Sequence, residues 1–203
     1  MKFIESDHQL VRSAEDCDEF ECFPAGHSVR LAKRADELAV VFGLSDFDRS
    51  VLQQAALIRN VGERIMGRDY IREARILTAE ERLDLERHPV IGEQAAAKLG
   101  LGRGVQLVVR WHHEYWNGSG YPDRLERNQI PISARLLRVV DTYFSLTNAR
   151  PFRAAMSDEL ARKHLVDWAG IEFDPSVVAA FLELPPVETS AEASAERTEE
   201  VAV

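Results

Sequence analysis

From His27 to Leu184 the apolar residues of this chain recur every three to four positions, and nowhere do they alternate convincingly. Residues at that spacing share one face of an α-helix, whereas a half-buried strand needs a period of two. "HSVRLAKRADELAVVFG" sets Val29, Leu31, Ala32, Ala35, Leu38, Ala39 and Phe42 near one stripe and stops at Gly43. "DRSVLQQAALIRNVGERIM" repeats the pattern from Asp48, and "TAEERLDLERH" opens with Thr78 and Glu81 at capping-box spacing. "PVIGEQAAAKLG" ends at Gly100, a helix through "VQLVVRWHHE" follows, and "SARLLRVVDTYFSLTNA" reads as long, apolar and central. "SDELARKHLVDWAG" starts at a Ser157 cap and ends at Gly170, while "DPSVVAAFLEL" has Asp174 as cap and Pro175 at the first helical position. The pattern predicts an all-α fold, an irregular helical bundle of about seven or eight helices.

Such a bundle needs enough apolar side chains to fill it. With 203 residues, 45% hydrophobic and 29% charged, the chain suits one domain with appendages and needs no disulfide or metal staple on grounds of size. Residues 1–25, acidic and weakly periodic, are expected to form an N-terminal adaptor. Residues 26–184 should form the domain, and 185–203, where small residues and Glu dominate, a disordered acidic tail. From Glu188 onward five Glu and one Arg hold about −4 of the net charge of −9, which leaves the body mildly acidic at −5. That balance argues against a nucleic-acid polymer as partner, which wants a basic surface. No apolar run approaches the ~18 residues of a membrane span, and the N-terminus lacks a signal pattern, so a cytoplasmic setting without a membrane partner is expected. Cys17 and Cys22 fit no paired zinc spacing and read as free thiols.

Some residues do not belong in a plain core. Asp141 sits in "LLRVVDTYFSL" among Val139, Val140, Tyr143 and Phe144, where an ionised carboxylate is costly unless a cation or hydrogen bonds satisfy it. Alternatively this helix has a wet face that Asp141 shares with Arg135 and Arg138. In "WHHEYWNGSGYPD", Trp111 to Asp123, His112 and His113 are adjacent. Neighbouring helical side chains point ~100° apart, so one metal takes both only near a helix end, and the glycine turn beyond Glu114 supplies one. His88 lies at a helix junction before Pro89, and His27 starts the first core helix; His8 and His164 look incidental. Together His27, His88, His112, His113 and Asp141 are nitrogen and oxygen donors of the kind that bind Fe, Mn or Zn. Their wide spacing is not by itself a metal signature.

"HSVRLA", "RHPVIGEQ", "WHHEYWNGSGYPDRL", "IPISARLLRVVDTYFSLTNARPFRAAMS" and "FDPSVVAAFL" occur in this order between about Gly26 and Leu184. In that order they resemble an HD-GYP domain, the bacterial cyclic di-GMP phosphodiesterases of the HD metal-phosphohydrolase superfamily. The resemblance implies an all-α bundle and a site of two or three metals. It also implies that Tyr121 and Pro122 shape the nucleotide wall and that Arg150 and Arg153 meet the phosphates, although "RPFR" also reads as a solvated turn. The GYP loop, with Trp116 beside it, offers a protein-docking surface, for example to a diguanylate cyclase domain.

The chain departs from that pattern at its centre. Where the family's His-Asp pair and following Lys should stand, it has Arg59, Asn60 and Glu63; Gly62 is kept. Phe23 stands where members with a third metal place Glu, and Asn117 replaces the aspartate of the glycine loop. Asn60 offers one neutral oxygen and bridges dications poorly, while a guanidinium cannot deprotonate to become a ligand. A unit charge facing a like charge at ~4 Å costs about 4 kcal/mol at an effective dielectric of 20, and a dication feels about twice that. The first metal site, with His27 and Asp141 as remnants, should therefore be lost, and Arg59 is expected to pair with Asp141 in bidentate fashion. His88, His112 and His113, with Asn60 or Glu63 nearby, retain a three-histidine face for one Fe, Mn or Zn ion; no two- or three-metal centre is expected. Three functions follow: a catalytically degenerate regulatory or binding module in cyclic di-GMP-type signalling, a weak single-metal phosphodiesterase, or a metal-free interaction scaffold.

Overall fold

Local signals settle most helix ends in the computed structural model, which describes residues 8–150 and 153–187. Among these residues are ten α-helical segments, eight of them nine residues or longer, and no strand beyond isolated bridges. They are α1 (His8–Phe20), α2 (His27–Val41), α3 (Asp46–Ile58), α4 (Val61–Met66), α5 (Ala79–Leu85), α6 (His88–Lys98), α7 (Arg103–Trp111), α8 (Ile132–Thr147), α9 (Asp158–Asp167) and α10 (Pro175–Glu183). The all-α reading holds, and the eight longer helices match the expected number.

The caps lie where the sequence put them. Thr78 and Glu81 form the reciprocal capping box of α5, Ser157 accepts from Leu160 N at the start of α9, and Asp174 accepts from Ser176 N ahead of Pro175. One expectation is corrected. The stripe from Asp48 to Met66 is not one helix, because the chain breaks at Arg59–Asn60 between α3 and α4. The break brings α4 against α6 so closely that a Cβ on Gly62 would lie 2.0 Å from His88 O. No side chain fits there, which accounts for the glycine.

α8 is the central helix. Leu136, Leu137, Val139 and Val140 have no exposed surface, and Tyr143 and Phe144 are nearly as buried. Burying a Leu- or Val-sized side chain contributes about 1.5–3 kcal/mol, so this helix anchors the bundle. The expected adaptor, residues 1–25, is described from His8 onward. Within it α1 packs Leu10, Ala14 and Cys17 into the common core and buries Asp18. Cys17 and Cys22 are both free. No described helix is long and apolar enough to cross a membrane. At the other end Arg34 donates to Pro185 O at 2.8 Å; the tail from Glu188 lies outside the described residues.

Candidate metal centre

The α3–α4 break turns Arg59 inward. Its guanidinium is 2% exposed and is met by four acceptors. Nε donates to Asp141 Oδ1 at 2.5 Å, Nη1 to Ser28 Oγ at 2.9 Å and Ala56 O at 3.1 Å, and Nη2 to His27 Nε2 at 3.2 Å. The pairing with Asp141 is present but not bidentate, because the two terminal nitrogens are drawn to other acceptors. Burial alone would raise the Asp141 carboxyl. Arg59 outweighs it, helped by His112 and Arg138, and holds the group down at about 2. Burial, then the Arg59 charge, keeps His27 neutral with its pKa well below the ordinary value. Phe23 stacks flat on that imidazole at 3.8 Å. The His27 nitrogen and the Asp141 carboxylate, both donors of the kind that bind metals, face the fixed Arg59 cation instead.

Asn60 points elsewhere. Its Nδ2 donates to Glu21 Oε2 at 2.9 Å, and its Oδ1 is buried without a partner. Glu21 also accepts from Arg150 Nη2 at 3.2 Å, and the Arg150 guanidinium lies 4.1 Å from the Phe23 ring centre.

A second cluster forms where α6 begins and α7 ends. α7 stops at Trp111, and this lets adjacent His112 and His113 converge, with ring centres 4.1 Å apart. His88, the first residue of α6, completes the group, and one ligating atom from each of the three lies within 4.8 Å of the others. His88 Nδ1–H donates to Leu85 O at 2.8 Å and His112 Nδ1–H to Val109 O at 2.6 Å. Bonds of this kind fix the tautomer and leave the Nε2 lone pair for a metal. Both Nε2 atoms are buried and without a partner, a cost that a bound cation would remove. His113 is held differently: its Nδ1 accepts from Arg138 Nη1 at 2.8 Å, and its ring stacks on Tyr121 at 4.9 Å. Burial lowers His88 to about 4 and His112 to about 3, and His113 lies well below its ordinary value, so all three are neutral at pH 7. Neutral imidazoles suit Zn, Fe or Mn, and the donor set fits a divalent ion.

A cavity of about 280 Å³ opens beside this cluster, lined in part by Glu21, Asn60, Glu63, His113, Asp141 and Arg150. Glu63 faces His88, with Oε1 at 3.9 Å from Nε2. Burial raises the carboxyls of both Glu63 and Glu21. Tyr121 and Pro122 line a neighbouring cavity of about 540 Å³ with Arg87 and Arg124. Arg153 donates through Nη2 to Ser145 O. Of the four ligand-facing residues expected from the sequence, Arg150 is the one that reaches the histidine-side cavity among the described residues. Pro151 and Phe152 lie outside them.

Several partners escaped sequence reasoning. Ser28 and Glu21 hold Arg59 and Arg150, respectively. Glu114 accepts from the backbone N–H groups of Asp123 and Leu125 and so ties down the glycine loop. There a Cβ on Gly120 would lie 2.2 Å from Tyr115 N, which restricts that position to glycine. The wet-face alternative for α8 is set aside, because Arg138 pairs with buried Glu172 and Arg135 with buried Asp174. The helical spacing of Arg135, Arg138 and Asp141 was the available signal for a polar seam.

An all-helical bundle converging three neutral histidines on an acid-lined cavity defines a metal-site helical domain. Residues 18–177 match the family model described as HD domain, and the chain belongs to the HD domain family. It is similar to two proteins of Vibrio cholerae. One is a 3'3'-cGAMP-specific phosphodiesterase, 28% identical over 182 residues, covering 88% of this chain and 35% of the relative. The other is a cyclic di-GMP phosphodiesterase, 36% identical over 139 residues, covering 65% and 28%. The chain thus spans about a third of the first relative's length and less than a third of the second's. Its fold resembles the crystal structure of a cyclic GMP-AMP specific phosphodiesterase of V. cholerae, with TM-score 0.68 and 18% identity over 91% of this chain and 50% of that one.

Proposed function

We propose that this chain is a catalytically degenerate HD-GYP-type domain, a regulatory or binding module in cyclic-dinucleotide signalling that holds at most one metal ion. The observation that carries the reading is the Arg59 guanidinium, buried and bonded to Asp141, Ser28, Ala56 and His27. In two-metal hydrolysis both ions clamp the attacking and leaving oxygens. Here one of the two seats carries a covalently attached charge that can neither release nor bind a water.

The cavity's own chemistry supports a ligand that is not turned over. Arg150, the cation suited to phosphate, is already engaged by Glu21, so an anionic nucleotide must compete with a carboxylate of the same chain. A phosphate-rich ligand would therefore bind when the Glu21 carboxylate, just past the end of α1, gives up Arg150. Purified full-length chain, loaded with Mn(II) or Fe(II) and incubated with cyclic di-GMP or 3'3'-cGAMP, is expected to give no linear dinucleotide. Linear product that disappears with Asp141→Ala would overturn the reading.

A further inference from the structure

We infer that Glu63 is the fourth ligand of a single, closed cation site formed with His88, His112 and His113. This deepens the reading above and rests on it.

The first ground is position. Glu63 belongs to the short α4 that Gly62 clamps against the start of α6, and its Oε1 lies 3.9 Å from the unpartnered Nε2 of His88. Two ligands of one tetrahedral ion are separated by roughly 3.3–3.5 Å, given bond lengths near 2.0–2.1 Å. Glu63 stands just outside the group of three histidines, so ligation requires its carboxylate to turn toward His112 and His113.

The second ground is charge. The other buried carboxylates of the cavity wall are committed to arginines, Asp141 to Arg59 and Glu21 to Arg150, and Glu172, outside the wall, pairs with Arg138. Glu63 makes no ion pair with an arginine and no side-chain hydrogen bond among the described residues; it faces His88, and the Arg150 and Arg59 charges act on it from farther away. Three neutral imidazoles supply no negative charge, and Glu63 would supply one to a dication in this seat.

The third ground is the donor set. Three imidazoles and one carboxylate fill the four positions of a structural zinc-type site and leave none for a reactive water. His113 completes the set by exchanging its Arg138 bond for the ion, and Arg138 keeps its ion pair with Glu172. The ion would then lock α4, α6 and the end of α7 together instead of activating water. The chemical class is a borderline divalent transition ion, Zn(II) first.

The test uses full-length chain, stripped with chelator and titrated with Zn(II), then with Co(II) as a spectroscopic probe. One ion per chain and the intense visible bands of four-coordinate cobalt are expected. Glu63→Gln, which keeps shape and removes charge, should weaken binding by more than the roughly 10–100-fold that loss of an outer-shell partner costs, and should shift the cobalt spectrum. Glu73→Gln removes another carboxylate of the cavity wall and should leave the spectrum as it was. His112→Ala should abolish binding. If His112→Ala binds as the parent does, or the parent binds nothing, the three-histidine seat itself falls. If His112→Ala loses the ion while Glu63→Gln matches the parent in affinity and spectrum, only the role of Glu63 falls. A six-coordinate cobalt spectrum would overturn the closed sphere.

Discussion

The bundle holds two seats for positive charge and fills them by opposite means. In the first, Arg59 brings a permanent cation on a covalent arm, and Asp141, Ser28 and His27 close around it. In the second, His88 and His112 present unpartnered Nε2 atoms, with Glu63 alongside, and the charge must come from outside. The first seat is complete on folding and cannot exchange its cation. The second is a buried polar cluster whose satisfaction depends on an ion. A guanidinium balances the Asp141 carboxylate as a metal ion would, but it does not act as a Lewis acid on a water.

The largest expected effect breaks the first seat. Arg59→Ala leaves Asp141 buried and unpaired, and such losses destabilise by about 3–5 kcal/mol; chemical denaturation of the ion-free protein reads it directly. A change under 1 kcal/mol would mean that the pair is not what holds the α3–α4 junction. Next in size is the second seat's response to metal. Saturation at 100 times Kd should raise parent stability by about 2.7 kcal/mol, and His112→Ala should lose that gain entirely. A thermal or denaturant scan with and without Zn(II) sharpens the contrast, since Arg59 variants should keep part of the gain.

pH separates the seats more gently. In the ion-free protein the buried imidazoles stay neutral while the unfolded chain protonates them near pH 6.5. Their contribution is therefore lost as pH falls below about 6.5, down to the folded values near 4 for His88 and 3 for His112. Each costs at most about 1.4 kcal/mol per pH unit in that window. Raised Glu21 and Glu63 act in the opposite direction, their stabilisation fading as pH rises above the ordinary carboxylate range. Four imidazoles outweigh two carboxyls between about pH 4 and 6.5, so ion-free stability should fall on acidification, and His112→Ala should flatten the slope. An unchanged slope in that variant would argue against a buried neutral His112. The smallest effect concerns Arg150: Glu21→Gln removes the carboxylate charge that it faces, while its bond to the residue-21 carbonyl stays, and should tighten cyclic di-GMP binding by roughly tenfold, about 1.4 kcal/mol, as measured by calorimetry.

Much of this was legible in the sequence because it is local. The caps at Thr78, Ser157 and Asp174 act within three residues along the chain, and the convergence of His112 and His113 needs only a helix end. The Arg59–Asp141 pair could be anticipated because the apolar run around Asp141 demanded a cation. Its single-pronged geometry could not, since Ser28 and His27 compete for the same guanidinium from another helix. Residues 1–25 read as weakly periodic for a related reason. Leu10, Ala14 and Cys17 are few and mostly small, so their stripe is faint until α3 and α4 supply the surface they cover.

The sequence by itself determined an all-helical chain, the ends of most helices, and the presence of a guanidinium and an amide where a metal-binding pair would stand. Only the tertiary structure decided that Glu21 claims Arg150, that Arg138 reaches His113 and Glu172, and that Glu63 faces His88. The division follows from range: helix and cap propensities are set by neighbours a turn away, whereas the partner of a buried charge is whichever opposite group the packing delivers.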